Sequence, residues 1–174
     1  MAEPAGHVLL VGMMGAGKTT IGRALARRLG RPFLDSDAEI ESSTGRTVPE
    51  LFAAEGEDAF RREESRVLQE ALHGEQPTVI AVAGGAVLDP ANRDILAAHG
   101  MVVWLRAAID VLASRVGDGS GRPLLGDDPE AALARLYATR EPLYASLADV
   151  VVDVASRSRA SIVEEIATHV EAAA

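Results

Sequence analysis

The 174-residue chain contains no cysteine, which excludes a disulfide framework and any thiolate chemistry. Long hydrophobic runs are also missing: the uncharged apolar stretches reach only around ten residues, where a membrane span needs about 20. Basic charge is in short supply, with 17 Lys plus Arg against 26 Asp plus Glu and a net charge of −9. Such a balance argues against a sequence-independent grip on nucleic acid. The opening MAEPAGH is acidic and short, with no basic-then-apolar leader, so no secretory signal is expected. Together these absences predict a cytoplasmic protein with neither nucleic acid nor membrane among its partners.

Lysine is almost missing as well. Of the 17 basic residues, only Lys18 is a lysine. The chain is rich in Ala, Gly and Arg, so a drift toward arginine can be genomic, yet one position resisted it. A compact ammonium on a flexible stem is not interchangeable with a planar guanidinium. Lys18 is therefore singled out before any motif is considered.

What is present is ordinary for a globular chain: 48% apolar and 25% charged residues, in a length that suits one domain with a full core. Strand-like runs alternate with helical ones. HVLLVG (7–12) closes on glycine, and TTIGRALARRLG (19–30) repeats Ile21, Leu25 and Leu29 at helical spacing before Gly30 stops it. PFLDSD (32–37) predicts a second strand. Residues 38–73 predict helix broken near STGRT, in two segments, VPELFAAEG and DAFRREESRVLQEALH. TVIAVAGG (78–85), MVVWL (101–105) and DVVVDV (149–154) predict three further strands, the first buried on both faces. Helices are expected over DPANRDILAAHG, with Asp89 as N-cap and Gly100 as stop, over AAIDVLASRV, and over EAALARLYATREPLYASLA, interrupted or ended near Pro142. ASIVEEIATHVEAA predicts an acidic closing helix with a solvated face. Between them, residues 117–129 are a Gly/Pro/Asp-rich loop longer than most connections, which predicts a mobile functional segment.

Alternation of this kind predicts an α/β fold with a parallel sheet covered on both faces, its ligands beyond the carboxyl ends of the strands. At that rim lies GMMGAGKT (12–19), a full match to G-x-x-x-x-G-K-[ST] between a strand and a helix. Glycines let backbone N–H groups turn onto phosphate oxygens, Lys18 reaches the β- and γ-phosphates, and the Thr19 hydroxyl can ligate Mg²⁺. Gly15, Ala16, Gly17, Lys18, Thr19 and Thr20 are the expected nucleotide cradle. FLDSD (33–37) then ends on two carboxylates. If the second strand lies beside the first, Asp35 and Asp37, two residues apart on a strand, both face a Mg²⁺–triphosphate. The alternative is that Asp37 caps the following helix while Asp35 is solvated.

GMMGAGKTTIGRALARRLGRPFLDSDAEIE, FAAEGEDAFRREE, GGAV, RPLL and REPLY, in this order, resemble the shikimate kinase family over nearly the whole chain. The resemblance implies a three-layer P-loop kinase fold with a five-stranded parallel sheet, a small substrate-binding segment near 36–66 and a mobile lid near 117–127. It implies transfer of the γ-phosphate of ATP to the 3-hydroxyl of shikimate, a step toward chorismate and the aromatic amino acids, with Mg²⁺ as cofactor. Carried over residue by residue, Asp37 contacts the substrate hydroxyls and is placed to take the attacking proton, and Asp35 helps Thr19 hold Mg²⁺ through water. Arg61 and Arg140 meet the substrate carboxylate, Gly84 and Gly85 approach the ring, and Phe52 and Phe60 supply apolar walls. Arg122 is the lid arginine that swings onto the phosphates, and Arg115 and Arg157 lie on the adenine side. Lys18, Asp37 and Arg122 form the expected catalytic set. One departure stands out: Ala83 replaces the first of the family's usual three glycines, so an extended backbone is expected at 83 and the close approach at Gly84.

These roles agree with the chemistry of the residue types. An anionic hydroxylated ring needs a forked guanidinium for its carboxylate and a carboxylate for its hydroxyls, and phosphoryl transfer needs positioning and neutralised charge. Read alone, Arg61, Arg62 and Arg66 among Glu57, Glu63 and Glu64 equally fit surface ion pairs at helical spacing. A kinase for another hydroxy acid such as gluconate would share the cradle and D-x-D without FRREE, AGGAV and REPLY. A nucleotide-binding switch or scaffold would have no need of a substrate-side carboxylate. His7, His73, His99 and His169 share no metal-ligand spacing and read as surface or helix-end residues; Trp104 reads as core. We expect a monomer.

Overall fold

The structure is a computed structural model that describes residues 6–174. Residues 1–5, on which most of the no-leader reading rests, lie outside the described residues. Five parallel strands, β1 (His7–Val11), β2 (Phe33–Asp35), β3 (Val79–Ala81), β4 (Gly100–Arg106) and β5 (Val150–Asp153), form one sheet in the order β2-β3-β1-β4-β5. Seven helices accompany them among the described residues: α1 (Lys18–Leu29), α2 (Ser36–Thr44), α3 (Val48–Leu72), α4 (Pro90–His99), α5 (Ile109–Val116), α6 (Pro129–Leu147) and α7 (Arg159–Ala172). The central strands are buried along both faces, as their unbroken apolar runs require. Trp104 is core, 3% exposed. No helix among the described residues is long and apolar enough to cross a membrane.

Two expectations about the second strand need correction. β3 lies between β1 and β2, so the second strand is not beside the first. The strand also ends at Asp35, and Asp37 sits in the first turn of α2. The same-face argument for strand residues therefore does not apply. Asp35, not Asp37, caps α2, its Oδ1 accepting from the N–H groups of Asp37 at 3.0 Å and Ala38 at 3.3 Å. What still brings the pieces together is parallel register. Asp35 pairs with Ala81 and Ala81 with Leu10, so the carboxyl ends of β2, β3 and β1 meet at one rim.

The third strand is also shorter than expected, Val79–Ala81 rather than 78–85, because the chain turns at its glycines into a short 3-10 helix over Ala86–Leu88; the remaining differences have physical causes too. The break expected near STGRT separates α2, capped by Gly45, from α3, and the two segments expected after it are joined in α3 through a kink at Gly56, at φ 81° and ψ 178°. Asp89 caps α4 through the Ala91 N–H. Pro142 neither ends nor interrupts α6. Arg140 and Tyr144, on either side of it, are both buried, and that packing outweighs a proline penalty of about 3 kcal/mol. His7 is buried rather than on the surface, its Nδ1 accepting from the Thr78 N–H at 3.2 Å. The acidic face of α7 is exposed but not merely solvated, since Glu164 and Glu171 bind Arg28 of α1 and Glu165 binds Arg157.

Candidate active site

The loop after β1 turns through Gly15 and Gly17, at φ 84° and 95°, left-handed values that a side chain rarely adopts. Gly17 is the N-cap of α1, so the backbone donors of the helix start are left free for an anion. Lys18 Nζ folds back onto the loop, donating to the carbonyls of Gly12 at 2.6 Å and Met13 at 3.2 Å. Desolvation of the ammonium lowers its pKa from 10.5 to about 8, partly opposed by the nearby charge of Asp37. A bound polyphosphate would reverse that shift.

Close packing brings α1 over β2. A Cβ on Gly22 would stand 2.5 Å from the Phe33 ring, so only glycine allows this approach. It carries the start of α1 to Asp35, whose Oδ2 accepts from Thr19 Oγ1 at 2.5 Å. Asp35 thus caps one helix with one oxygen and faces Thr19 with the other. Both line a cavity of about 530 Å³, together with Gly15, Gly17, Lys18 and Thr20 of the cradle. An all-oxygen pair beside a phosphate cradle fits Mg²⁺, which keeps most of its waters and takes few protein ligands. Among the described residues, no group of three or more His, Cys, Asp or Glu forms an all-protein cage.

Beyond the cradle the same cavity is lined by Asp37, Phe52, Phe60, Arg61, Gly84, Gly85 and Arg140, and by Arg122 of the 117–127 loop. Burial raises the Asp37 pKa, and the Lys18 charge pulls it back down. Phe52 and Phe60 meet with ring centroids 4.9 Å apart, each on its own side of the Gly56 kink. Arg61 is partnered: Nη1 donates to both oxygens of Glu64, at 2.9 and 3.1 Å, and Nη2 to Glu57 at 3.3 Å. Arg140 is 1% exposed, and its Nε and Nη2 are buried with no partner. An unpaired buried guanidinium is costly.

The two glycines are where the arginines press closest. A Cβ on Gly85 would lie 2.0 Å from Arg61 Nη1, and one on Gly84 3.2 Å from Arg140 Nη1. Of the two, Gly85 is the more closely pressed by an arginine. Ala83 itself has no positive φ, and its N–H donates to buried Ser36 Oγ at 2.8 Å. Arg115 reaches only the Gly15 carbonyl, at 3.2 Å, and Arg157 is held by Glu165 and Ser161 away from the cavity lining. Ala16 is buried under the loop. Arg66 fits the surface reading, pairing with Glu63 and Glu70.

Sequence reasoning passed over Glu64, Glu41, Ser36 and Tyr144. Glu64 is 2% exposed, and burial raises its pKa against the pull of Arg61. Its position three residues after Arg61 was the available signal, read as a surface pair. Glu41 lines the cavity and holds the N–H of Val48, the first residue of α3. The Tyr144 hydroxyl donates to the Gly84 carbonyl at 2.6 Å, and burial pushes its pKa up to about 12. Nothing in REPLY alone says which backbone group that hydroxyl meets.

A model of the shikimate kinase family matches residues 14–171. A shikimate kinase of Ruegeria pomeroyi is 54% identical over 146 residues, covering 83% of this chain and 74% of its own length. One from Chromobacterium violaceum is 48% identical over 159 residues, covering 91% and 86%. Among solved structures, the shikimate kinase from Acinetobacter baumannii in complex with shikimate is similar at a TM-score of 0.93 and 39% identity, over 98% of this chain and 95% of that one. A gluconokinase from Sinorhizobium meliloti, at a TM-score of 0.64 and 23% identity over 99% and 94%, shares the fold alone.

Proposed function

The chain belongs to the shikimate kinase family, and on that premise we propose how its residues move the γ-phosphate of ATP to the 3-hydroxyl of shikimate. The observation that carries the reading is the pair of unpartnered donors on buried Arg140. Arg140 lines a cavity that also presents Arg61 and a carboxylate, the complement of a small hydroxylated acid. Arg140 and Arg61 bind the substrate carboxylate, Phe52 and Phe60 flank the ring, and Asp37 receives its hydroxyls.

On the nucleotide side, backbone donors of Gly15 and of residues 17–20 surround the β-phosphate. Lys18 exchanges its two carbonyl partners for phosphate oxygens. Thr19 and Asp35 would hold Mg²⁺, which when bound neutralises charge on the β- and γ-phosphates. The acceptor hydroxyl oxygen bonds to the γ-phosphorus as the bond to the β,γ-bridging oxygen breaks, and ADP leaves. The hydroxyl proton passes to Asp37, whose raised pKa suits an acceptor. Residues 117–127 act as a lid that brings Arg122 onto the phosphates and excludes water. Arg115, which reaches the Gly15 carbonyl of the cradle, serves the adenine side. We also propose that the enzyme works in the cytoplasm as a monomer.

A coupled ADP-release assay tests the reading. Turnover should require shikimate and Mg²⁺, with quinate and gluconate at least about tenfold poorer in kcat/KM, a gap of roughly 1.4 kcal/mol. Equal turnover of gluconate, or none with shikimate, refutes the substrate.

A further inference from the structure

Behind the arginine pocket, a second cavity of about 610 Å³ opens between α3 and α4 and shares Arg61, Glu64 and Gly85 with the first. Asn92, in the first turn of α4, lines this second cavity and is 1% exposed. Its Nδ2 donates to Ser65 Oγ at 2.9 Å and to the Ala86 carbonyl at 3.0 Å. Because a carbonyl only accepts, the Ala86 bond identifies which end of the amide is Nδ2. The other end, Oδ1, is buried with no partner. A buried acceptor without a donor is unfavourable, so the amide is retained there for its two donor bonds.

Those two bonds reach the two walls of one slot. Ser65 lies one turn beyond Arg61 on the same stripe of α3. Ala86 follows Gly85, the residue whose missing side chain is replaced in space by the Arg61 guanidinium. Arg93, next to Asn92, adds bonds from Nη1 to the carbonyls of Val87 at 2.6 Å and Leu88 at 3.3 Å. Ser36 and Tyr144 hold the same turn at Ala83 and Gly84, but their side chains make no bond to α3. Asn92 joins the turn to the helix that bears Arg61.

We propose that Asn92 is a positioning residue for the acceptor's carboxylate. It sets the spacing between α3 and the turn at 84–86, and so the orientation of Arg61, without touching either substrate. The inference rests on the reading that Arg61 binds the acid. Its signature is a change confined to one substrate, because Asn92 bonds the helix of Arg61 and the turn beside it and no residue of the phosphate cradle.

The test is steady-state kinetics with shikimate and ATP varied separately, on the full chain and on Asn92→Ala, Ser65→Ala, their double variant and Arg61→Ala. Asn92→Ala should raise the shikimate KM at least about tenfold, with the ATP KM within about twofold and kcat within about threefold. Ser65→Ala, at a half-buried position, should raise the shikimate KM by about threefold, and the double variant should match Asn92→Ala because both lose one shared bond. Equal rises in both KM values, a shikimate KM that does not move, or an additive double variant each overturn the proposal. Should Asn92→Ala not fold, Ser65→Ala decides alone, and an unchanged shikimate KM there counts against us. Arg61→Ala separates the two levels. If it too leaves the shikimate KM unchanged, the carboxylate assignment is at fault; if it alone raises that KM, the positioning role fails.

Discussion

In the phosphate cradle the chain turns back on itself, and Lys18 donates to carbonyls five and six residues away. In the half we propose for the acceptor, Arg61, Gly85 and Arg140 arrive from α3, the turn after β3 and α6, and meet only because those elements pack. The charges are kept in different ways too. Lys18 is satisfied by backbone, Arg61 by two glutamates, and Arg140 keeps two donors with no partner. A cradle made of backbone accepts any polyphosphate. Selectivity for the acceptor must therefore come from the half that tertiary contacts assemble.

The largest expected effect tests whether the two aspartates belong to different halves. Asp37→Asn should lower kcat by about 10²–10⁴-fold at any Mg²⁺ concentration, because it removes the proton acceptor. Asp35→Asn should be partly rescued by excess Mg²⁺ and should keep the α2 cap, since Asn caps as well as Asp. Asp35→Ala should in addition lose about 1 kcal/mol of stability in denaturant unfolding. Identical Mg²⁺ responses in the two Asn variants would erase the division between halves.

Next in size is the cradle's one lysine. Lys18→Arg keeps the charge but not the compact point donor, and kcat should fall at least about 100-fold. In the nucleotide-free chain the folded Lys18 releases its proton near pH 8 while the unfolded chain holds it toward 10.5. Between those values the unfolded state binds more protons, so this group makes stability rise with pH. Unfolding of wild type and Lys18→Met across that window should show the rise reduced in the variant. A parallel pair of curves would mean the ammonium is not desolvated.

Within the acceptor half, the two arginines should part company. Arg140→Met should raise the shikimate KM by about 10–100-fold with little loss of stability, because charge-assisted bonds of roughly 1.5–3 kcal/mol go to the ligand alone. Arg61→Ala should cost both affinity and stability, since it strands buried Glu64. Adding Glu64→Gln should restore stability, read as the unfolding midpoint, without restoring shikimate affinity. Recovery of both would show that the ion pair, not the substrate, is the business of Arg61.

The smallest effects sharpen the glycine turn. Gly85→Ala should raise the shikimate KM about tenfold by displacing the Arg61 tip, and Gly84→Ala should do so less, in keeping with built Cβ contacts of 2.0 and 3.2 Å. Ala83→Gly should change it by less than about threefold. Titration of the three variants in one assay gives the order, and a reversed order would return the close approach to Gly84.

Much of this was legible beforehand, and particular residues show where legibility stopped. The loop over 12–19 declared itself because its function uses contiguous backbone. Asp35 and Asp37 were found, but for a wrong reason: the strand ended two residues early, since the Asp35 carboxylate competes for the N–H groups that a longer strand would need free. Glu64 looked like one more surface acid because helical spacing does not say which face meets a cavity.

By itself the sequence determined the alternation of strands and helices, the phosphate loop and its lone lysine, and the residue types of the site. These are properties of neighbours in the chain: periodicity, turn chemistry, capping. Tertiary structure alone decided that β3 separates β1 from β2, that α6 runs through Pro142, that Arg140 is stranded while Arg61 is paired, and that Asn92 ties helix to turn. Each of these depends on burial shared between segments tens of residues apart. Burial sets both the penalty on an unpaired charge and the gain that overrides local propensity.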